Sequence, residues 1–444
     1  MRCTRPLRKP LVNYLKELHR RNLISASFPG GILDEKYTTV LGNLPPVLYA
    51  GFDPTADSLH IGNLLVLNNL LRAAQFGCTV KVLVGGATAA VGDPSGRTSE
   101  RTEMAKERIR SHANSIIGLL DGICSNFAES QPGSSRIEIL DNAQWFGQMN
   151  AIDYLRVCRE FRVGAMLRTG AVKARMEGDV DNDGISFTEF SYQTLQAIDW
   201  LQLVERYKCH FQIGGSDQLG HLDLGAHFVK KRTGRFTGGI TMPLVTDAAG
   251  NKLGKSTGAS VWLSDKRTSA FHFYQFWRQL PDNDVERLFP MFTLKNYDEL
   301  VAILDEHRGK LGQWHAQSRL AQEMTTLVHG NAGLEKAEAC SRALYQGDIN
   351  TLETLSRDDI LRLFGTTTRL NRDSVGSFAE LAFKTRTDNK PAHNLMKTGA
   401  FKVNGVRKTE PEEKIKFETI LLKGTDDLTL ICWGKRKFQI VQWE

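Results

Sequence analysis

The stretch VLYAGFDPTADSLHIGNLLVLNNLLRAAQF, residues 47–76, decides the fold. Its first six residues, VLYAGF, are apolar and rich in strand formers. GFDPTADS then interrupts the run with Gly, Pro, Asp and Ser, residue types that make turns. From Ser58, which the pattern makes a helix N-cap, apolar residues recur at helical spacing as far as residue 76. Strand, turn and helix in that order are one βα unit. The same alternation extends outward. VKVLVGG (80–86), IEIL (137–140), FQIGG (211–215) and GITMPLV (239–245) read as strands, and helical periodicity fills 101–120, 150–168 and 187–207. An earlier helix is expected over 11–26, with Leu11, Tyr14, Leu15 and Leu18 on one side. Strands alternating with helices predict a parallel sheet in an α/β domain. Ligand sites then belong in the turns after the strands' carboxyl ends.

The strand signal stops near residue 266. Segments 268–280, 297–307, 315–329 and 333–346 look helical. After Ser374 short helices are expected near 375–384 and 389–398, then strands at FKVNG (401–405), ETILL (418–422), LTLICW (428–433) and FQIVQW (438–443). The organisation predicted is a basic N-terminal segment (1–30), an α/β domain (31–262), a helical domain (263–371) and a small mixed domain (372–444).

The composition is that of an ordinary globular chain: 444 residues, 41% apolar and 24% charged. The net charge of +7 gathers at the two ends. Residues 1–30 hold Arg2, Arg5, Arg8, Lys9, Lys16, Arg20 and Arg21 against Glu17, and residues 372–444 hold 14 basic and 10 acidic side chains. A basic C-terminal segment fits a polyanionic partner. The N-terminus is rich in Arg, lacks an apolar core and has no acid before Glu17, as organelle transit peptides do. The cysteines Cys3, Cys78, Cys124, Cys158, Cys209, Cys340 and Cys432 are scattered, odd in number and never spaced CxxC. That pattern argues against a disulfide framework or a zinc site and for a reducing compartment. No apolar run approaches the ~18–20 residues of a membrane span.

Three motifs tempt and fail. DVDNDGISFTEF (179–190) resembles a calcium loop, but Phe190 stands where the bidentate Glu belongs and Glu189 is one residue early. GNKLGKS (250–256) has three residues between its glycines where a Walker loop needs four. VLVGGATAAVGDPSGR (82–97) follows a strand without the GxGxxG spacing of a dinucleotide site.

Three features remain. His60 lies at a helix start, where free backbone N–H groups and the helix dipole favour anions, and Thr55 lies beside it in sequence. Tyr192, Gln196 and Asp199 are spaced i, i+4, i+7, a polar stripe on an otherwise apolar helix. The stripe is either a solvated face or the wall of a polar pocket. KLGKS (252–256) sets Lys252 and Lys255 three residues apart in a glycine-containing loop.

HIGN (60–63) resembles the HIGH signature, and KLGKS the KMSKS signature, of class I aminoacyl-tRNA synthetases. LYAGFDPTADSLHIG, LVGGATAAVGDPSGRTSERT, GISFTEFSY and QIGGSDQ, in that order, resemble the tyrosyl-tRNA synthetases of the bacterial and mitochondrial type. The resemblance is dense over 45–262 and thinner beyond. It implies a Rossmann-like parallel-sheet catalytic domain, an α-helical domain that meets the anticodon region, and a small mixed α/β RNA-binding domain. It implies a tyrosine–tRNA ligase, with L-tyrosine, ATP and tRNA(Tyr) as partners, Mg2+ arriving with ATP, no protein-bound metal, a homodimer and no membrane.

By the same resemblance, Tyr49 and Asp199 hold the substrate's phenol hydroxyl. Asp93, Tyr192 and Gln196 hold its ammonium, with Gln212 close by. Gly51, Asp53, Asn63, Gly215, Asp217 and Gln218 lie toward ATP, and main-chain groups of Leu244 and Val245 meet adenine. Thr55 and His60 bind the γ-phosphate side, while Lys252, Lys255, Arg97 and Arg101 clamp the pyrophosphate. Asn63 replaces the second His of HIGH, and Leu219 and His221 stand where relatives often carry Trp and Asn. Two other readings stay open: a tryptophanyl-tRNA synthetase, and a catalytically silent RNA-binding or splicing factor derived from this family. The expected location is the mitochondrial matrix, with a bacterial cytoplasm as the alternative.

Overall fold

The computed structural model describes residues 9–96, 102–176, 184–246, 260–346, 352, 355–364, 367–386, 392–434 and 437–444. They fall into two compact units, Met1–Leu263 with Pro281–Ala316 and Ser264–Leu280 with Gln317–Glu444.

In the first unit β1 (Ala26–Phe28), β2 (Val47–Phe52), β3 (Thr79–Val84), β4 (Ile137–Asp141), β5 (Phe211–Gly215) and β6 (Gly238–Met242) form one sheet, ordered β1-β6-β5-β2-β3-β4. β2 to β6 run parallel, and β1 closes the edge antiparallel to β6. Parallel strands are covered on both faces, so β3 and β6 are apolar runs buried nearly throughout. The three-residue β1 is too short to show a period, and the sequence reading has no strand there.

The chain proceeds from β2 through β3 to β4 on one side, then returns to build β5 and β6 on the other. β2 and β5 are therefore neighbours whose connections leave in opposite directions. A crevice opens at such a point, outside the carboxyl ends of the strands. The turns after VLYAGF and FQIGG both empty into it.

The helices in chain order are α1 (Pro10–Arg20), α2 (Glu35–Leu41), α3 (Ile61–Gln75), α4 (Lys106–Ser130), α5 (Ala143–Phe146), α6 (Ala151–Cys158), α7 (Val163–Met166), α8 (Gly170–Met176), α9 (Phe187–Tyr207) and α10 (Leu219–Thr233). The single helix expected over 150–168 is two, parted at 159–162, and the one expected from 101 starts at Lys106. α9 carries the sheet-facing core. Its Trp200 is fully buried and meets the Tyr49 ring edge-on at 6.1 Å. Gly225 of α10 allows the close approach, since a Cβ there would stand 3.0 Å from the Trp200 ring. α1 buries Leu11, Tyr14, Leu15 and Leu18 as expected, and the Tyr14 hydroxyl donates to Asn69 O of α3 at 2.9 Å. Arg21 is also buried, bonded to Glu17 and to the carbonyls of Pro290, Thr293 and Lys295.

α11 (Ala270–Arg278) belongs to the second unit, while α12 (Asp282–Phe292) and α13 (Tyr297–Gly309) return to the first. There Asn68 of α3 donates to Phe292 O at 2.8 Å and Arg72 to Thr293 O at 2.6 Å. The helical segments of the second unit are α14 (His315–Gln346), kinked at Gly330, and α15 (Arg357–Phe364). They are followed by α16 (Phe378–Lys384), α17 (His393–Lys397) and α18 (Phe417–Ile420). Its sheet joins β7 (Thr367–Leu370), β8 (Phe401–Val403), β9 (Val406–Arg407), β10 (Leu428–Trp433) and β11 (Lys437–Trp443) in the order β7-β11-β10-β8-β9. ETILL, expected as a strand, is the helical turn α18; buried Ile420 and Leu422 mimic a strand's alternation. Helix and sheet share a core, in which Phe271, Cys340, Ile360 and Phe364 pack with Leu428, Leu430 and Ile440. Among the described residues no helix is long and apolar enough to cross a membrane.

Candidate active site

A cleft of about 970 Å³ opens at the carboxyl ends of β2 and β5. Every described residue given a site role by the resemblance lines it, while Leu219 and His221 do not. β2 and the turn after it supply Tyr49, Gly51, Asp53 and Thr55. The start of α3 supplies His60 and Asn63, and the loop after β3 supplies Asp93. α9 presents Tyr192, Gln196 and Asp199 from one face, so the polar stripe is a pocket wall. β5 and the turn after it bring Gln212, Gly215, Asp217 and Gln218, and the segment after β6 brings Leu244 and Val245. Arg97, Arg101, Lys252 and Lys255 lie outside the described residues.

The floor is buried and polar. Tyr49 and Gln212 are partners in the β2–β5 ladder. Both are buried, and among the described residues neither the Tyr49 hydroxyl nor Gln212 Oε1 has a hydrogen-bond partner. Beside them Asp199 accepts from Asn142 Nδ2 at 3.0 Å and from Trp145 Nε1 at 2.8 Å. Burial pushes the Asp199 carboxyl up to about 8, against the pull of those two donors. Burial likewise pushes the Tyr49 phenol well above its ordinary value, and Asp199 adds to the effect.

One side wall is a hydrogen-bonded chain. Tyr192 donates to Asp53 Oδ2 at 2.8 Å, Thr88 to Asp53 Oδ1 at 2.7 Å, and Asn142 to Thr88 at 3.0 Å. Gln218 Nε2 donates to Asp93 Oδ2 at 2.8 Å, and the Ser95 N–H to Asp93 Oδ1 at 2.8 Å. Three acidic side chains besides Asp199, those of Asp53, Asp93 and Asp217, line the cleft, which suits a cationic group. The glycines of VLVGGATAAVGDPSGR have a packing reason: a Cβ on Gly85 would collide with Asp53 Oδ1 and Thr88 Oγ1, and one on Gly86 with Asp141.

The other end corrects the expected cap. Helix α3 begins at Ile61, and its N-cap is His60, whose Nδ1 accepts from the Gly62 and Asn63 N–H groups. Ser58 bonds Leu59 O instead. The Asn63 amide accepts the His60 N–H at 3.1 Å, completing a capping box. The Ile61 N–H goes to Val261 O at 3.1 Å. The N–H groups read as free for an anion are thus bonded within the protein. The His60 proton sits on Nε2, and a phosphate must be met by side chains. Residues 260–263, which follow KLGKS in sequence, bridge this end: His60 pairs with Trp262, their rings edge-on at 6.1 Å, and the Leu263 N–H donates to Leu59 O at 2.8 Å.

Sequence reasoning missed Thr88, Asn142, Trp145 and the bridging Trp262. Asn142 and Trp145 directly follow a strand, the place where this fold puts ligand groups, and that position was the available signal. Of the calcium-like loop, Asp179, Asp181 and Asp183 lie outside the described residues, and Glu189 forms a buried pair with Arg175 at 3.0 Å. Chemically the cleft joins a buried hydroxyl and carboxyl pair, a ring of acids and a helix start, with no hydroxyl or thiol activated by a neighbouring base among the described residues.

A family model, tRNA synthetases class I (W and Y), matches residues 43–346. The mitochondrial tyrosine–tRNA ligase of Drosophila melanogaster is 37% identical over 467 aligned positions, spanning 99% of each chain. Its Homo sapiens counterpart is 38% identical over 93% of this chain and 87% of that one. The Bacillus pumilus tyrosine–tRNA ligase is 35% identical over 97% and 99%. Among solved structures, a C-terminally truncated Aspergillus nidulans mitochondrial tyrosyl-tRNA synthetase superposes with a TM-score of 0.67 at 30% identity, covering 75% of this chain and 94% of that one.

Proposed function

The chain belongs to the class I tRNA synthetases of the tryptophan and tyrosine kind, and we propose that it is a tyrosine–tRNA ligase working through the cleft at β2 and β5. A carboxylate oxygen of tyrosine attacks the α-phosphorus of ATP; that bond forms as the bond to pyrophosphate breaks, giving tyrosyl-adenylate. A terminal ribose hydroxyl of tRNA(Tyr) then attacks the tyrosyl carbonyl, loses its proton and releases AMP. The nucleophiles belong to the substrates, so the protein's work is to position them and to stabilise charge on the phosphates.

The observation that carries the tyrosine reading is the unmet floor. Beside Asp199, Tyr49 keeps a buried hydroxyl that has no partner among the described residues. A phenol hydroxyl between them both accepts and donates, so it bonds Tyr49 and Asp199 at once; a phenyl ring bonds neither, and an indole N–H only donates. Tyr192, Gln196 and Asp93 take the ammonium in front of α9. Asp53, Asp217, Gln218 and the Leu244–Val245 main chain meet the nucleotide. Thr55 and His60, with Lys252, Lys255, Arg97 and Arg101, hold the phosphates. Magnesium enters bound to ATP. Tyrosine-dependent ATP–pyrophosphate exchange, run beside tryptophan and phenylalanine, tests the assignment. Exchange with tyrosine alone is expected. Exchange with tryptophan alone would replace it with the tryptophanyl reading. No exchange from folded protein would leave the RNA-binding reading.

A homodimer has support on the surface. Ile152, Leu155, Val163, Leu167, Met176 and Phe187 are exposed on the consecutive helices α6 to α9, with Phe187 73% accessible. We take these exposed apolar side chains as one interface face, and a second copy is the occupant proposed. Phe187→Asp should halve the mass seen by sedimentation; an unchanged mass would remove this face from the interface. The 263–371 and 372–444 segments are assigned to the anticodon region and to general RNA contact. The Drosophila, human and Aspergillus relatives named above are mitochondrial and the Bacillus one is bacterial; the matrix is the proposed location. A removable leader would end before Pro10, because α1 is packed into the first unit.

A further inference from the structure

His221 stands in the first turn of α10, 1% exposed. Its Nδ1 lies 3.0 Å from Gln196 Oε1, and its ring centre 5.6 Å from that of Tyr192. Among the described residues the buried Nε2 has no hydrogen-bond partner. An amide oxygen needs a donor, so Nδ1 carries a proton, and a second proton on Nε2 would have no acceptor, which favours the neutral ring. Gln196 and Tyr192 line the cleft; His221 stands behind both. The titratable groups that face it are Tyr192 of α9, Asp93 after β3 and Asp217 before α10. Burial draws its pKa below the ordinary 6.5, and the two carboxylates oppose the shift.

We propose that His221 is a positioning residue for amino-acid recognition, holding the Gln196 amide oxygen toward the substrate ammonium, and that its protonation weakens tyrosine binding selectively. The proposal rests on the reading of Gln196 as an ammonium ligand. The terminal torsion of a glutamine is soft, and a flipped amide would offer its NH2 to a cation. An Nδ1–H behind the oxygen opposes that flip while leaving the second lone pair for the ligand. An imidazolium would keep the bond but set a positive charge close behind the ammonium. The phosphates are assigned to the other end of the cleft, so the added charge acts first on the ammonium and reaches ATP only weakly, through Asp217. The neutral ring is the binding form. Affinity for tyrosine is therefore complete above the ring's lowered pKa and is lost as pH falls through it.

The test is exchange kinetics from pH 5.5 to 8.5, with the Michaelis constants for tyrosine and ATP measured separately. His221→Asn keeps a donor that does not ionise. The ratio of the unaltered chain's tyrosine KM to this variant's should be flat at the alkaline end and climb toward pH 5.5. Titration of Asp199 is common to both proteins and cancels in the ratio. His221→Leu removes the donor and should raise the tyrosine KM about tenfold, with kcat and the ATP KM within about twofold. A flat ratio across the range overturns the ionisation. Tyrosine KM, ATP KM and kcat shifting together in the Leu variant, or none shifting, overturns the positioning. If circular dichroism shows the Leu variant unfolded, the pH series on the Asn variant decides alone. Absence of tyrosine-dependent exchange from the unaltered chain overturns the parent reading and this one together.

Discussion

The two ends of the cleft are built on opposite plans. At the amino-acid end, Asp53 after β2, Thr88 after β3, Asn142 and Trp145 after β4, and Tyr192 and Asp199 of α9 are tied into one hydrogen-bonded chain, and the Tyr49 hydroxyl and Gln212 Oε1 are unmet among the described residues. At the phosphate end, the start of α3 has bonded its own N–H groups. The first end is a mould whose unpaired atoms describe the substrate. The second offers side-chain donors on a helix start, and in the proposed function it relies on the basic residues of KLGKS. On that reading recognition is prepaid by packing, while charge stabilisation relies on long cationic side chains.

Lys255→Ala is the hardest blow to the phosphate end. Losing one charge-stabilising donor should lower the activation rate about a hundredfold, roughly 3 kcal/mol, while tyrosine binding stays near normal. Single-turnover adenylate formation reads both. A variant that loses tyrosine affinity instead would erase the division between the ends.

Tyr49→Phe probes the mould. Tyrosine should bind about tenfold more weakly, and the preference over phenylalanine should narrow, because one unmet group is gone. An unchanged preference would take the floor out of recognition.

Asp199 gives the mould a pH signature without any ligand. Its folded carboxyl holds a proton up to about pH 8, whereas an unfolded one releases it near 3.8. The folded state binds the extra proton between those values, so this group's contribution to stability declines as pH rises from about 4 to about 8 and levels beyond. Thermal unfolding of the unaltered chain should show that slope relative to Asp199→Asn. Parallel curves would mean the carboxyl is ionised in the free cleft.

Asn63→Ala should be the mildest. It removes half of the capping box and costs about 1 kcal/mol of stability, with a modest loss of activity. A loss as large as that of Lys255→Ala would make the helix start more than a scaffold.

Much of this was legible locally. The 3.6-residue period put Tyr192, Gln196 and Asp199 on one face, and α9 begins and ends where that period does. β2 and β5 match their apolar runs to the residue. Other features were not legible, because their partners are far along the chain. Asp199 and Asn142 are 57 positions apart, and Thr88 and Asp53 are 35. Nothing in IEILDNAQW says that its amide and indole meet a carboxylate of a later helix. The choice between Ser58 and His60 as cap was likewise not local: both side chains can cap, and Val261, about 200 residues on, completes the turn.

The sequence by itself determined the alternation of strand and helix, the polar stripe of α9, the glycines that admit Asp53 and Asp141, and the paired signatures that name the family. These depend on periods of two to four residues and on steric limits at single positions. Only the tertiary structure decided that β2 and β5 lie side by side. It also decided that Asn142 and Trp145 hold Asp199, that the helix start binds its own N–H groups, and that His221 backs Gln196. Those outcomes depend on which distant segments share one buried volume, where every polar atom must find a partner or wait for a ligand.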